Sequence, residues 1–450
     1  MQLHIIGLGV SETALLEQSA EQALQHADTI IGSERQLATV QHLLQDGQEK
    51  ILLPKLSQLK TQLCEQADKD CSIAILASGD PLLYGIGRWF SRTFTDAQLT
   101  FYPAVSSIQA ACHRLGRAFQ DLQVLSLHGR PIVKIRTVLK RNQPLIILTD
   151  KHSTPLALAR ECVAAGFAES KLTVLELLGY AQEKISVFTA SELIERCSDD
   201  STDSNAETGL TFDPLHVTLI DPVGNGGVLP EFPGIPDDWF VTDGGEGKGM
   251  ITKREVRLSI LSLMQPASQD CIWDIGAGCG GVSVELSYWS PDAQVHAVEY
   301  HPDRLECLEA NRQRFGVVSN LHIIEGRAPQ ALAGLPEPNK IFIGGSGGEL
   351  AQLLQQAWQL LPVGGVLVVS AVTEITRHQL FSFYEQRREA QDSEFESVQV
   401  AVSKGDLLAG QLMYRPTLPV VLARYVKISP CEESFGAIES KAIDNRGIDD

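Results

Sequence analysis

The chain has 450 residues and a formal net charge of -19, with 44% hydrophobic and 21% charged residues. That length predicts two or three domains with real apolar cores, and the negative balance excludes nucleic-acid binding through a general basic field. No apolar run reaches the roughly 18–20 residues of a membrane span, and MQLHIIGLGV lacks the basic start and long apolar stretch of a signal peptide, so no membrane partner is expected. Nine scattered cysteines without a CxxC pair predict a reducing, cytoplasmic setting, with neither a disulfide framework nor a metal site.

In chain order, residues 3–9 predict a strand ending in Gly7 and Gly9, and residues 12–27 a helix. A short strand at 30–31 leads into Gly32-Ser33-Glu34-Arg35. Residues 72–77 predict an apolar strand running into Ser78-Gly79-Asp80-Pro81, with a helix starting near Tyr84. Strand 99–102 precedes Pro103-Ala104-Val105-Ser106-Ser107 and a helix to Leu115. Strands follow at 122–127, ending in His128-Gly129-Arg130, and at 145–149. A helix begins at Pro155, a position in the first turn that tolerates proline. Further strands are expected at 172–178, 184–188 and 215–220. Alternating strands and helices predict an α/β domain over 1–222. Residues 197–213 read as a flexible loop, and 223–247 as an interdomain linker rich in glycine and proline.

The second domain, 248–430, opens on Thr252-Lys253-Arg254-Glu255, which fits a capping box. Its helix runs to Met264. Strands are expected at 271–275, 294–299, 321–324, 340–344 and 365–370, alternating with helices at 282–289, 302–314, 329–333, 349–360 and 373–387. Two antiparallel strands near 397–403 and 419–426 close the sheet, and 431–450 reads as a disordered acidic tail.

The chemistry concentrates at Cys271–Gly281, CIWDIGAGCGG, where a strand meets a glycine turn and a helix. Glycines admit a ligand close to the backbone. Glu299, at the end of the next strand, can accept hydrogen bonds from ribose hydroxyls. Asp274 before the glycines would repel a pyrophosphate, so a dinucleotide fits poorly; a nucleoside with a cationic amino-acid part fits better. S-adenosyl-L-methionine is such a ligand. The alternative is a plain strand-turn-helix with glycines for packing.

On ITKREVR (251–257), DIGAGCGG, EGRAPQAL (325–332) and FIGGSGGEL (342–350), the second half resembles class I S-adenosylmethionine methyltransferases, and within them precorrin C15-methyltransferases (decarboxylating). On IIGLG, IGSERQL (31–37), LASGDPLLYGIGR (76–88), PAVSSIQAACHRLG (103–116) and SLHGR (126–130), the first half resembles the tetrapyrrole methylases, most closely the precorrin C5-methyltransferases. The fused order is similar to the bifunctional precorrin C5,15-methyltransferases (decarboxylating). The resemblance implies an α/β chain: a tetrapyrrole-methylase fold of two α/β subdomains, followed by a Rossmann-like class I methyltransferase sheet. It also implies S-adenosyl-L-methionine at two sites per chain, a precorrin or cobalt-precorrin substrate, and a homo-oligomer.

By the same resemblance, cofactor contacts are expected at Gly9, Gly79, Asp80, Ser106 and Ser107 in the first domain. In the second they are expected at Thr252, Asp274, Gly276, Ala277, Gly278, Gly280, Glu299 and Ala328. Ser106-Ser107 and Thr252 also read as helix caps. Substrate contacts are expected from Tyr84 and Arg88 on the helix after Pro81, from Arg130 in its basic stretch 113–141, and from Lys253, Arg254, Arg257 and Lys404. The loop holding Gly345 and Gly347 would offer backbone amides to a planar macrocycle. A carboxylate-rich substrate explains the expected cations; a solvated surface is the alternative. No residue is assigned as acid, base or nucleophile. Two further readings stay open: a methyltransferase fusion acting on another tetrapyrrole or other substrate, and a non-catalytic nucleoside-binding module.

Overall fold

A computed structural model describes residues 1–66, 70–94, 98–198, 210–245 and 248–429. The chain divides into two compact units, Met1–Glu231 and Phe232–Asp450.

In the first unit, strands β1 (Gln2–Gly7), β2 (Thr29–Gly32), β3 (Glu49–Leu52), β4 (Ser72–Ala77) and β5 (Gln98–Tyr102) form a sheet in the order β3-β2-β4-β1-β5. All its pairings are parallel. Buried on both faces, β1 and β4 read as nearly unbroken apolar runs, QLHIIG and SIAILA. A second sheet is mixed: β6 (Gln123–Ser126), β7 (Leu145–Leu148), β8 (Lys171–Glu176), β9 (Lys184–Thr189) and β10 (His216–Asp221), in the order β6-β7-β10-β8-β9. Only β6 and β7 pair in parallel there.

The second unit holds a seven-stranded sheet. Its members are β11 (Cys271–Ile275), β12 (Gln294–Glu299), β13 (Leu321–Glu325), β14 (Lys340–Ile343), β15 (Val366–Ala371), β16 (Ser393–Val400) and, beyond the hairpin β17 (Ser403–Leu408) and β18 (Gln411–Pro416), β19 (Val420–Lys427). The order β13-β12-β11-β14-β15-β19-β16 reverses direction at β11. Ligands in open α/β sheets bind beyond the strand ends at such a reversal. Only β19 runs antiparallel to its two neighbours.

The helix Gly281–Trp289 is buried from Gly281 to Tyr288, including Ser283, Glu285 and Ser287. Ser283 donates to Asp274 and Glu285 is multiply paired, while Ser287 Oγ has no hydrogen-bond partner. The Glu285 carboxylate accepts from Arg257 Nε at 2.8 Å and from the amides of Gly234 and Ile235 at 2.7 and 3.0 Å. Removing one partner of such a buried pair costs about 3–5 kcal/mol.

That network corrects the linker reading. Residues 234–241 are fastened into the second unit, through Glu285 and through Asn311, which accepts from the Val241 amide and donates to its carbonyl, each at 2.8 Å. The Gly226 amide instead donates to Gly166 O of the first unit at 3.3 Å. The expected loop 197–213 opens as the end of a helix, Ala190–Ser198. Its residues 199–209, and the expected tail, lie outside the described residues. The capping box at Thr252 is absent: the helix Arg254–Met264 has Lys253 at its N-cap and no side-chain cap.

Candidate active sites

In the first unit a cavity of about 910 Å³ opens where the C-terminal ends of β1 and β4 face loops of the second sheet. That size lies within the about 300–1,000 Å³ of ligand pockets. Gly9, Gly79, Asp80, Tyr84, Ser106 and Ser107 all line it. The turn after β4 is held against that after β1 by Gly79 N donating to Gly9 O at 3.0 Å. The Asp80 carboxylate accepts from the amides of Leu82, Leu83 and Ala104 at 2.8, 3.0 and 3.3 Å, so it shapes the turn rather than offering a free charge. Ser106 accepts from Gln109 N in a full capping box, the alternative reading of that residue, while still lining the cavity.

The first domain's substrate residues divide. Tyr84 reaches the cavity from a turn, with φ of 56°, because the helix starts only at Gly87. Arg88 is exposed on that helix and does not line the cavity. Arg130 also lies outside the lining and donates to Ser126 O at 3.1 Å. Three arginines of the basic stretch around it are neutralised: Arg114 pairs with Glu183, Arg117 with Asp221 and Arg136 with Glu161. Arg35, Lys151 and His152 also line the cavity and were not among the expected site residues. Their signal was position, since Lys151 and His152 directly follow β7 and Arg35 lies in the IGSERQL motif.

In the second unit a cavity of about 590 Å³ lies at the reversal of strand order. Thr252, Lys253, Gly276, Ala277, Gly278, Glu299, Ala328, Gly345, Gly347 and Lys404 line it. Two of its glycines answer to protein neighbours as much as to a ligand. Gly276 has φ of 75°, and a Cβ there would stand 2.7 Å from the Gly345 Cα. Gly278 has φ of 60°, and its Cβ would meet Met250 O at 2.5 Å. Gly280 faces Leu308 instead of the cavity and is the N-cap of the helix Gly281–Trp289.

Glu299 is 3% exposed. One of its oxygens accepts from Gly278 N at 2.9 Å, the other from Tyr300 N and His301 N at 2.9 Å each. A carboxylate offers about four acceptor positions, so these bonds leave room for a ligand hydroxyl while locking the glycine turn onto the end of β12.

Asp274 stands elsewhere than expected. It is 1% exposed, does not line the cavity, and accepts from Ser283 Oγ behind the turn. Burial, with a smaller push from the charge of Glu299, raises its carboxyl to about 7. A direct contact to a cationic ligand is therefore not its role. Arg254 pairs with the cavity-lining Glu255 but does not itself line the cavity, and Arg257 is fully buried against Glu285 and Asp237 outside the lining. Lys404 does line the cavity, held at 3.6 and 3.5 Å from Asp237 and Glu255.

In the glycine loop, the amides of Gly344 and Gly345 already donate to Ile275 O at 2.9 and 3.3 Å. Arg327 clamps the loop from the other side, donating to Gly347 O at 2.8 Å with its guanidinium 5.8 Å from the Tyr300 ring. Gly344 and Gly345 thus form a wall held to β11 rather than a pair of free amides, and Gly347 is held through its carbonyl.

Comparison with known proteins joins the two halves. Residues 2–194 match the tetrapyrrole (corrin/porphyrin) methylases, and residues 238–427 match the precorrin methyltransferase domain family. A precorrin-6Y C(5,15)-methyltransferase (decarboxylating) from a Sinorhizobium species is 32% identical over 94% of this chain and 96% of its own. One from Mycobacterium tuberculosis is 30% identical over 92% and 97%. A crystal structure of a precorrin-6Y C5,15-methyltransferase from Geobacter metallireducens is 34% identical, covering 43% of this chain and 98% of its own, with a TM-score of 0.39. With that identity over nearly its whole length, the chain belongs to the precorrin-6Y C(5,15)-methyltransferase (decarboxylating) family.

Proposed function

We infer that the chain methylates a precorrin macrocycle at carbons 5 and 15 and removes a ring acetate carboxyl as CO₂, in cobalamin biosynthesis. The observation that carries this is one chain holding two separate cavities, each built on a methyltransferase-type turn, in a family named for two methylations and a decarboxylation. When bound, S-adenosyl-L-methionine supplies an electrophilic methyl group. The residues of each cavity hold and orient. In the first, the paired turns at Gly9 and Gly79 and the helix start at Ser106–Ser107 form the cofactor wall. In the second, Ala277, Gly278 and Glu299 cradle the nucleoside, with Thr252 and Ala328 flanking it. Apolar groups such as Val256, Val372, Leu418 and Val420 line the same space, and the reaction needs donor and acceptor carbon to approach at about 3–3.5 Å.

The first unit is assigned the C5 transfer and the second the C15 transfer with decarboxylation. The substrate is a precorrin or its cobalt complex. A cytoplasmic setting is supported by the free thiols of all described cysteines. Self-association as a homo-oligomer is supported by the hairpin of β17 and β18, which exposes Leu407, Leu412 and Tyr414 at 70, 64 and 70%.

Calorimetry with S-adenosylhomocysteine should give two sites per chain, and mass spectrometry of the macrocycle after turnover should show two added methyls and one lost CO₂. One binding site per chain would remove the two-site assignment. Two sites without macrocycle turnover would leave a methyltransferase of another substrate.

A further inference from the structure

We propose that Arg35, His128, Lys151 and His152 form the carboxylate grip of the first cavity, and that Asp150 is the residue that presents it. This rests on the reading that the first unit takes a carboxylate-bearing macrocycle.

The grip is a matter of unbalanced charge in an acidic chain. The carboxylates lining this cavity are Asp80 and Asp150, and each is occupied by backbone amides. The lining basic side chains are not occupied in that way. Arg35 donates to Ser78 Oγ at 3.1 Å, and neither it nor Lys151, His128 or His152 has a carboxylate partner among the described residues. The contrast with the neighbouring basic stretch is direct, since Arg114, Arg117 and Arg136 each hold a carboxylate. In the second cavity, Arg304, Arg327 and Lys404 likewise face Asp243, Glu349 and Asp237. On a chain of net charge -19, the charges of Arg35 and Lys151 at one cleft form a local field that draws a polyanion, with the imidazoles of His128 and His152 beside them as further hydrogen-bonding groups.

The positions suit a flat ligand with acids on its rim. Arg35 comes from the helix Glu34–Val40 that follows β2, on the wall made by the first sheet. His128, Lys151 and His152 come from the turns after β6 and β7, on the wall made by the second. Both turns are pinned by one side chain. Asp150 accepts from Gly129 N at 2.8 Å, from His152 N at 2.9 Å, and from Ser153 N and Oγ at 3.0 Å each. Burial pushes its carboxyl upward, but these donors outweigh that and hold it well below the usual carboxylate range. Asp150 therefore stays charged and keeps the two turns in register, next to the groups that meet the ligand.

The test uses the full chain and the macrocyclic substrate. Arg35→Met and Lys151→Met should each raise KM for methyl transfer at the first site about tenfold or more, as for a lost hydrogen bond between charged groups. They should leave kcat within about twofold, S-adenosylhomocysteine at two per chain, and the second-site methylation and decarboxylation unchanged. Asp150→Ala should raise the same KM without weakening the cofactor, and Asp150→Asn, which keeps an acceptor oxygen, should recover part of the loss. First-site KM values within twofold of wild type, in a chain that turns over normally, would overturn the grip alone. A wild-type chain that binds S-adenosylhomocysteine but transfers nothing to the macrocycle would overturn the substrate reading and the grip together.

Discussion

Asp274 shows how a site residue can act without touching a ligand. Its buried carboxylate, on β11, accepts from Ser283 of the helix Gly281–Trp289 through Oδ2 and keeps Oδ1 without a partner. A folded-state value near 7 against an ordinary 3.8 means that the folded chain binds the extra proton between those values. Stability must then fall as pH rises through that window, by at most a few kcal/mol at about 1.4 kcal/mol per unit. Asp274→Asn should remove this contribution: denaturant unfolding followed at the second unit should show a smaller decline from pH 4.5 to 7.5 in the variant than in wild type. Parallel curves would place the Asp274 carboxyl at an ordinary value. Glu299, one strand over, is nearly as buried, yet three amides satisfy it and it keeps a face on the cavity.

At the scale of elements, the second site is a lock between two glycine loops. The turn after β11 and the loop after β14 meet backbone to backbone at Gly276 and Gly345, while Glu299 ties the turn to β12 and Arg327 ties the loop to the segment after β13. A side chain at position 276 is excluded twice, by φ of 75° and by Gly345. Gly276→Ala should therefore destabilise the second unit by more than about 1 kcal/mol. It should also weaken S-adenosylhomocysteine at that site at least tenfold, with the first site serving as internal reference in the same titration. Wild-type affinity at both sites would mean that the loops separate without cost. The hairpin of β17 and β18 is an element of another kind. Its side chains are exposed along both strands, and apart from Lys404 its residues stay off the cavity lining.

At the scale of the molecule, the two units carry separate cavities and separate cores, and the chain between them is shared out rather than slack. A cut between Glu231 and Phe232 keeps Gly234, Ile235 and Asp237 with their partners Glu285 and Arg257. Expressed separately, Met1–Glu231 and Phe232–Asp450 should each fold with a cooperative transition and each bind one S-adenosylhomocysteine. Sedimentation of the second piece should show self-association if the hairpin carries it. A cut after Asp238 should leave the second piece less stable by about 3–5 kcal/mol, because Arg257 and Glu285 lose buried partners. Equal stability of the two versions would return 234–238 to the status of a linker.

Much of this was legible from residues alone because it depends on local pattern. Period and punctuation placed β4, β11, β12 and the helix Pro302–Arg314 to within a residue, and the ordered glycine motifs identified the two methylase families. The hairpin was not legible: its turn, Ala409-Gly410, lacks the usual Asn-Gly signal, and its strands show no buried face to impose alternation. Nor could pattern reveal which charges are free. The basic stretch 113–141 looked like a substrate face, and Lys151 looked like nothing, because a cation's role depends on whether a distant carboxylate reaches it. Glu183, Asp221 and Glu161 lie about 25 to 104 residues from the arginines they neutralise. The sequence by itself determined the two folds and the cofactor turns, since strand, glycine and acid are neighbours along the chain. Only the tertiary structure decided that Asp274 and Arg257 are buried supports and that the first cavity keeps its positive charge, because burial and pairing are set by residues far apart in sequence.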